Sequence, residues 1–117
     1  MNISDTIAGF AAAIRWKDIP DSVRHEGKRA LLNFVASCLA GAHAPAIRLM
    51  AEHAAEDGAS GPASLFGRNR KTGTQTAAWI NAASANVLDF DDTHPATIAH
   101  PTAPVAAALI AHPTAPV

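Results

Sequence analysis

Cysteine and charge are both scarce in this chain. The single cysteine among 117 residues, Cys38, cannot form an internal disulfide, which fits a reducing compartment such as the cytoplasm. Charged residues make up only 16% of the chain, and nine basic against ten acidic residues give a formal net charge of −1. Because this balance provides no strongly basic surface, we expect neither nucleic acid nor a membrane surface as a partner.

Long apolar runs are missing as well. No uncharged apolar run approaches the roughly 18 residues that a membrane-spanning helix needs. Asp5 stands near the N-terminus, where a signal peptide would carry positive charge, so we expect a cytoplasmic protein. Hydrophobic residues reach 49%, but many are alanines, which favour helices and add little core volume. A larger parent protein or an oligomer would explain this composition better than an isolated small monomer.

Apolar periodicity predicts an all-α chain of about five helices. The first helix carries its apolar residues at helical spacing, and the last covers Ala103–Ala111. The other boundaries are marked by residues typical of helix starts and stops: Ser4 and Asp5 before the first helix, Asp21 and Gly41 around the second, Pro45 and Gly58 around the third, and Thr74 or Thr76 before the fourth.

Between the third and fourth helices, over residues 60–73, the periodicity is lost and glycines are frequent. We expect a loop there with at most one short strand, near Ser64–Phe66, and a solvated turn at the basic residues 68–71. In the second helix Cys38 falls on the apolar face, which predicts a buried structural thiol. In the fourth helix Ser84 shares the apolar face, and its small side chain predicts close approach of a neighbouring helix.

Polar side chains suited to catalysis are concentrated in residues 88–105, LDFDDTHPATIAHPTAPV. If the fourth helix persists to Thr93, Asp89 has Asp92 at i+3 and Thr93 at i+4 on one helix face, while Asp91 points elsewhere. His100 returns from a loop that is stiffened by prolines. Carboxylates, a hydroxyl and an imidazole in one place could bind a polyoxygenated substrate and exchange protons with it.

Two other interpretations of the acidic stretch stay open. Its carboxylates could cap the helix that follows, with Thr93 as an ordinary turn residue. Alternatively Asp89, Asp91, Asp92 and His100 could bind a divalent cation, since carboxylates and imidazole are common metal ligands. The spacing matches no established ligand motif, however, and a loop for a hard cation usually has more alternating oxygen ligands and glycines.

The residues 86–94, NVLDFDDTH, followed by His100-Pro and an apolar helix, resemble the signature of the MmgE/PrpD family. Ile19-Pro20, the Arg29-Ala-Leu-Leu segment, Leu39-Ala-Gly41 and residues 82–85 are similar to that family's opening helices. The resemblance implies a helical N-terminal domain of a lyase (a dehydratase or decarboxylase) or of an epimerase that acts on small di- and tricarboxylates. Such enzymes remove a proton next to a carboxylate and use neither a metal nor an organic cofactor.

By motif position the resemblance implies three site residues: His100 as proton donor or acceptor, Thr93 as a hydrogen-bond donor to a substrate carboxylate, and Asp89 as the group that orients its neighbours. It also implies a homodimer in the full-length protein. Family members are several times longer, so residues 1–117 are expected to be a partial N-terminal helical domain. We expect this piece alone to be inactive, and a non-catalytic helical oligomerisation fragment is the alternative.

The octapeptide IAHPTAPV occurs at residues 98–105 and again at 110–117, at a spacing of 12. One repeat without a third copy is unlike a solenoid, and a local duplication or a sequence-assembly error is the better explanation. We therefore assign His112 no role from its resemblance to His100.

Overall fold

The computed structural model describes residues 2–112. It contains the following elements in chain order: α1 Ile3–Ala13, a 3₁₀ turn Trp16–Asp18, α2 Asp21–Gly41, α3 Pro45–Glu56, β1 Ala63–Ser64, β2 Lys71–Thr72, α4 Thr74–Asn86 and α5 Thr102–Ala111. The predicted fold class is confirmed, with five α-helices and a small two-stranded antiparallel sheet in the described part of the chain.

The first helix forms as expected but is capped differently. The Asn2 side chain accepts a hydrogen bond from the backbone N–H of Asp5 at 2.8 Å, so the predicted caps Ser4 and Asp5 lie inside the helix. Asn is as good an N-cap as Ser or Asp. Asn2 caps α1 because it lies three residues before Asp5, whose backbone N–H its side chain reaches. No residue of α1 is buried, and its large apolar side chains, including Phe10, are exposed.

The second helix begins at Asp21, which was expected to cap it. Pro20 occupies the cap position instead, and Asp21 forms an ion pair with Arg24 on the helix surface. The apolar face predicted for α2 is buried only toward the C-terminal end, where Phe34 and Cys38 are almost inaccessible to solvent. Val23, near the start of α2, is exposed. One helix therefore has both an unpartnered end and a packed end.

The packed end of α2 lies against α4 and α5. Gly41 lies so close to α4 that a Cβ added there would overlap the Ser84 carbonyl oxygen. The Ser84 hydroxyl donates a hydrogen bond to the Cys38 carbonyl at 2.7 Å. The close approach predicted from Ser84 is thus confirmed. Six buried residues form the core here: Phe34, Cys38, Ala85, Ala103, Ala106 and Ala107.

A second core cluster joins α3, the sheet and α4. Its larger members are Ile47, Leu65 and Ile80, with alanines between them. The sheet has one strand more than expected, since β1 pairs with β2 in the register Ala63↔Thr72. The buried Asn81 amide donates to the Ser64 carbonyl and accepts from the Phe66 N–H, both at 3.0 Å. It fixes this loop on α4 in a way that the apolar pattern could not indicate.

The basic residues after the first strand were expected to form a solvated turn, and that expectation was wrong for two of them. Arg68 and Arg70 are half-buried and donate hydrogen bonds to the carbonyls of Ala42 and Ala51, at 2.6 and 3.1 Å. They reach carbonyl groups at the end of α2 and within α3, which draws the loop onto the helices. At the C-terminus of α2, the cationic donor Arg68 satisfies a carbonyl of the kind that has no helical partner.

Within residues 2–112, no single helix is long and apolar enough to cross a membrane. Only α2 and α3 taken together pass that test of length and composition, and they are bent by 82° at the break between them.

Candidate active site

The acidic stretch lies in a loop, because α4 ends at Asn86. Asp89 adopts a left-handed backbone conformation with φ 58°, and its N–H donates to the Asn86 carbonyl at 2.8 Å. Aspartate tolerates this conformation better than most residues, and it turns the chain out of the helix. The prediction that Asp89, Asp92 and Thr93 share one face of a helix was therefore wrong.

The turn places the Asp91 carboxylate next to the His100 imidazole. The Asp91 carboxylate is buried, with 1% of the side chain exposed, and its Oδ1 lies 3.3 Å from His100 Nδ1. The Asn86 amide donates to both oxygens of this carboxylate, at 3.2 and 3.3 Å. Asp91 was expected to point away from the site, so this residue and its partner Asn86 correct the prediction.

Asp89 lies near the other ring nitrogen of His100. Its Oδ1 is 4.0 Å from His100 Nε2, and 86% of its side chain is exposed. The structure thus brings two of the predicted site residues, Asp89 and His100, together at the end of the loop. A buried carboxylate therefore lies near one ring nitrogen of His100, and a solvated carboxylate lies near the other.

Asp92 binds the start of α5. Its carboxylate accepts hydrogen bonds from the Thr102 N–H at 3.1 Å and from the Thr102 hydroxyl at 2.6 Å. Thr102 is the first residue of α5, so Asp92 caps the helix that follows, as one interpretation of the sequence anticipated. A carboxylate is also favoured at a helix N-terminus by the helix dipole. Asp92 therefore fixes the start of α5 close to the loop.

Thr93 is exposed and forms no hydrogen bond with Asp89, Asp91 or His100 in the described structure. Its neighbour His94 turns to the Thr97 hydroxyl, 2.9 Å from His94 Nδ1, within a small turn closed by the His94↔Ala99 bridge. The role expected of Thr93 toward a substrate stays a prediction.

A pocket of about 320 Å³ opens beside the His100–Asp91 pair. Its lining is apolar apart from three polar residues, and comprises Trp79, Ala82, Ala83, Asn86, Asp91, His100, Ala103 and Pro104. No lysine or arginine is among these residues. The pocket therefore offers a proton-transfer group and apolar walls, but no cation for an anionic ligand.

A second asparagine holds the loop from the side of α2. The Asn33 amide donates to the Phe90 carbonyl at 3.0 Å, and this contact connects residues 57 positions apart. The apolar pattern gave no signal for Asn33 or Asn86, because an asparagine on a helix surface has no partner that sequence spacing can identify.

Three of the four residues considered for a cation site remain together. One ligand atom from each of Asp89, Asp91 and His100 lies within 4.8 Å of the others. Asp92 is excluded from this set, since both of its oxygens are engaged with Thr102. Two carboxylates and one imidazole could in principle supply half of an octahedral coordination sphere.

The repeated octapeptide is described only in part. His112 is the C-terminal cap residue of α5, and residues 113–117 of the second copy lie outside the described residues.

Comparison with known proteins agrees with the motif. The sequence profile of the MmgE/PrpD N-terminal domain matches residues 5–114. Over 108 residues the chain is 29% identical to the cis-aconitate decarboxylase-like protein oryM of Aspergillus oryzae, which covers 92% of this chain. The chain spans 22% of the length of that relative. No solved structure matches the chain.

Proposed function

Since the chain belongs to the MmgE/PrpD family, we propose that it contributes part of the active site of a lyase that acts on small di- or tricarboxylates. The lyase would transfer a proton at a carbon next to a carboxylate and then release water or carbon dioxide. The relative from Aspergillus oryzae is named as cis-aconitate decarboxylase-like, which favours cis-aconitate as the first substrate to test. An epimerase that returns the proton is the alternative within the family.

The observation that carries the proposal is the placement of His100. Its imidazole lines a pocket, with the buried Asp91 next to Nδ1 and the exposed Asp89 beside Nε2. Histidine is the side chain whose ordinary pKa suits proton transfer near neutral pH. A base held at the edge of a small pocket can reach a bound substrate, whereas a histidine on an open surface cannot hold one in place.

In this proposal His100 accepts or returns the proton, and Thr93 donates a hydrogen bond to a substrate carboxylate. Asp89 orients its neighbours from the solvent side of the imidazole. The proposed chemistry needs no metal or organic cofactor, because the base removes a proton that the adjacent carboxyl or carbonyl group already acidifies.

The charge balance of the pocket limits what this chain does alone. Two carboxylates lie within 4.0 Å of His100, and no lysine or arginine lines the pocket. Proton removal beside a carboxylate builds further negative charge on an anionic substrate, and prearranged donors and cations lower that barrier. We therefore propose that these cations come from the part of the protein that corresponds to the unmatched length of the relative.

The test compares two proteins: the 117-residue chain and the longest protein encoded by the reading frame that contains it. Each is incubated with cis-aconitate, citrate and 2-methylcitrate in deuterated buffer, so that proton exchange at carbon is detected even without net turnover. We expect no reaction from the 117-residue chain. From the longer protein we expect turnover or exchange that falls by about 10²-fold or more in His100→Ala.

His53→Ala is the matched control. His53 is an exposed histidine on α3, close to Asp57, and it is remote in sequence from the pocket residues. It should leave the rate unchanged. Full activity of His100→Ala would contradict the proposed role of His100. Stoichiometric binding of Mn²⁺ or Zn²⁺ with a rise in melting temperature would instead favour the cation site of Asp89, Asp91 and His100.

A second candidate function is a non-catalytic helical fragment that associates through its apolar surface. The exposed apolar residues of α1 favour it, because a surface of this kind usually marks a contact with another protein segment. Sedimentation of the 117-residue chain separates the two candidates when it is combined with the assay. Stable oligomers without activity in the longer protein would favour the fragment.

A further inference from the structure

We propose that Asp91 is a positioning residue whose buried carboxylate selects the His100 tautomer that carries its hydrogen on Nδ1. This leaves Nε2, on the side of the exposed Asp89, as the basic nitrogen. The consequence for catalysis rests on the proposed function. The tautomer itself does not, and it can be measured without a substrate.

The first step of the argument is the isolation of the inner ring nitrogen. His100 Nδ1 is buried and has no hydrogen-bond partner of acceptable geometry among residues 2–112. The polar atom facing it is Asp91 Oδ1, at 3.3 Å. Because an unpaired buried polar atom costs about 1–3 kcal/mol, this pair is the site where a hydrogen bond is most favourable.

The second step is the direction of that hydrogen bond. The Asn86 amide donates to both Asp91 oxygens, as expected for an ionised carboxylate, which can only accept. His100 must then donate from Nδ1. The opposite tautomer would place an imidazole lone pair 3.3 Å from a buried carboxylate oxygen, and two acceptors would face each other in a medium of low polarity.

The third step is that Asp91 cannot easily move away. Asn86 holds its carboxylate from α4, and Asn33 holds the preceding carbonyl, that of Phe90, from α2. Asp92, the next residue, is bound to the start of α5. Three consecutive residues of the loop are thus each attached to a different helix. The carboxylate that faces His100 is therefore fixed before any substrate arrives, and this preorganises the base.

The experiment measures the tautomer directly. The 117-residue chain is labelled with ¹⁵N in its histidines, and long-range ¹H–¹⁵N correlation spectra are recorded near pH 8, where an ordinary imidazole is neutral. His100→Gln assigns the signal among the six histidines of the chain. We expect His100 in the Nδ1–H form, and a shift to the Nε2–H form or to a mixture in Asp91→Asn.

Asp57→Asn is the matched control. Asp57 lies 3.4 Å from an imidazole nitrogen of His53, but both side chains are exposed. Its replacement should leave the His100 spectrum unchanged. Circular dichroism verifies that each variant folds. If Asp91→Asn does not fold, Asn86→Ala keeps the carboxylate but frees it, and a mixture of His100 tautomers is expected there too.

An Nε2–H form of His100 in the unsubstituted chain would overturn the inference, and so would an unchanged Nδ1–H form in folded Asp91→Asn. In the longer protein, Asp91→Asn should lower kcat by about tenfold to a hundredfold with little change in KM. The expected tautomer without turnover of any polycarboxylate would contradict the proposed function alone. Turnover with the opposite tautomer would contradict the role of Asp91 alone.

Discussion

The two ends of α2 belong to one continuous helix but lie in contrasting surroundings. Toward its C-terminus, Phe34 and Cys38 are inaccessible to solvent and lie against α4 and α5. Toward its N-terminus, Val23 and Leu31 are about half exposed and line an apolar groove with residues of α5. Val23 and Leu31 belong to the same apolar face of the helix as Phe34 and Cys38. Periodicity therefore indicates which face of a helix is apolar, but it does not determine whether another element covers that face.

The same contrast separates α1 from α4. Both helices have apolar residues at regular spacing, yet α1 buries none of its residues whereas α4 buries five. Burial follows from close approach, and close approach depends on small residues such as Gly41 and Ser84 at the contact. The candidate site lies in the packed part of the molecule, where hydrogen bonds attach the loop at residues 86–92 to α2, α4 and α5.

The largest effect should come from replacing a buried aromatic ring in the packed region. Phe34 is 1% exposed, and its ring lies edge-to-face against Phe66 with centroids 6.0 Å apart. We expect Phe34→Ala to lower the free energy of unfolding by about 3–5 kcal/mol. Phe10→Ala in α1 is the matched change at an exposed ring and should cost less than about 0.5 kcal/mol. Urea denaturation followed by circular dichroism measures both, and equal losses would contradict the contrast.

Two glycines in α2 should respond to alanine with opposite sign. A Cβ at Gly41 would overlap the Ser84 carbonyl, so Gly41→Ala should cost about 1–3 kcal/mol through overpacking. Gly27 has no atom within 4 Å of the added Cβ. Because alanine favours a helix, Gly27→Ala should stabilise the chain by about 0.5–1 kcal/mol. The measurement is the shift in denaturation midpoint, and destabilisation by Gly27→Ala would show that this end of α2 is covered.

Removing the cap of α5 should have a smaller effect. Asp92→Ala deletes both hydrogen bonds to Thr102 and the favourable charge at the helix start, for an expected loss of about 1 kcal/mol. Asp5→Ala is the control, because Asp5 is an exposed aspartate in the first turn of the unpartnered α1, where Asn2 already caps the helix. Thermal unfolding should distinguish the two variants. An unchanged melting temperature in Asp92→Ala would mean that α5 is held by packing alone.

The smallest effect is a dependence of stability on alkaline pH. Burial raises the pKa of the Cys38 thiol from 9.0 to about 11, against a smaller lowering by a hydrogen bond with Ser84. The folded chain therefore holds this proton more tightly than the unfolded chain. Stability is unaffected below the unfolded value and falls as the pH rises from about 9 toward 11, by less than about 1 kcal/mol at pH 9.5.

Denaturation midpoints at neutral pH and at pH 9.5 measure this loss of stability. In Cys38→Ala, the part of the loss that comes from the thiol should disappear. The same burial should make Cys38 slow to react with an alkylating reagent in the folded chain and faster in urea. Rapid alkylation without denaturant would show that this end of α2 opens readily.

The candidate site shows where local patterns stop being informative. His100 and Asp89 were identified from their motif, and the structure places them within 4.0 Å of each other. The predicted direction of Asp91 was wrong because α4 ends at Asn86 and does not continue through Thr93. A single residue in the left-handed conformation, Asp89, ends that helix geometry and turns Asp91 inward. Aspartate occurs in helices, turns and caps, so residue type alone did not identify the turn.

The sequence by itself determined the helical class, the approximate bounds of α2, α3 and α5, the start of α4, the buried thiol and the close contact at Ser84. Each of these depends on short-range preferences: apolar spacing, prolines and glycines at helix ends, and small side chains. Only the tertiary structure decided which apolar faces are covered, that Arg68 and Arg70 reach helix carbonyls, and that Asn33 and Asn86 hold the acidic loop. Those contacts join residues on different elements, and a hydrogen bond between distant segments leaves no periodic trace in either of them.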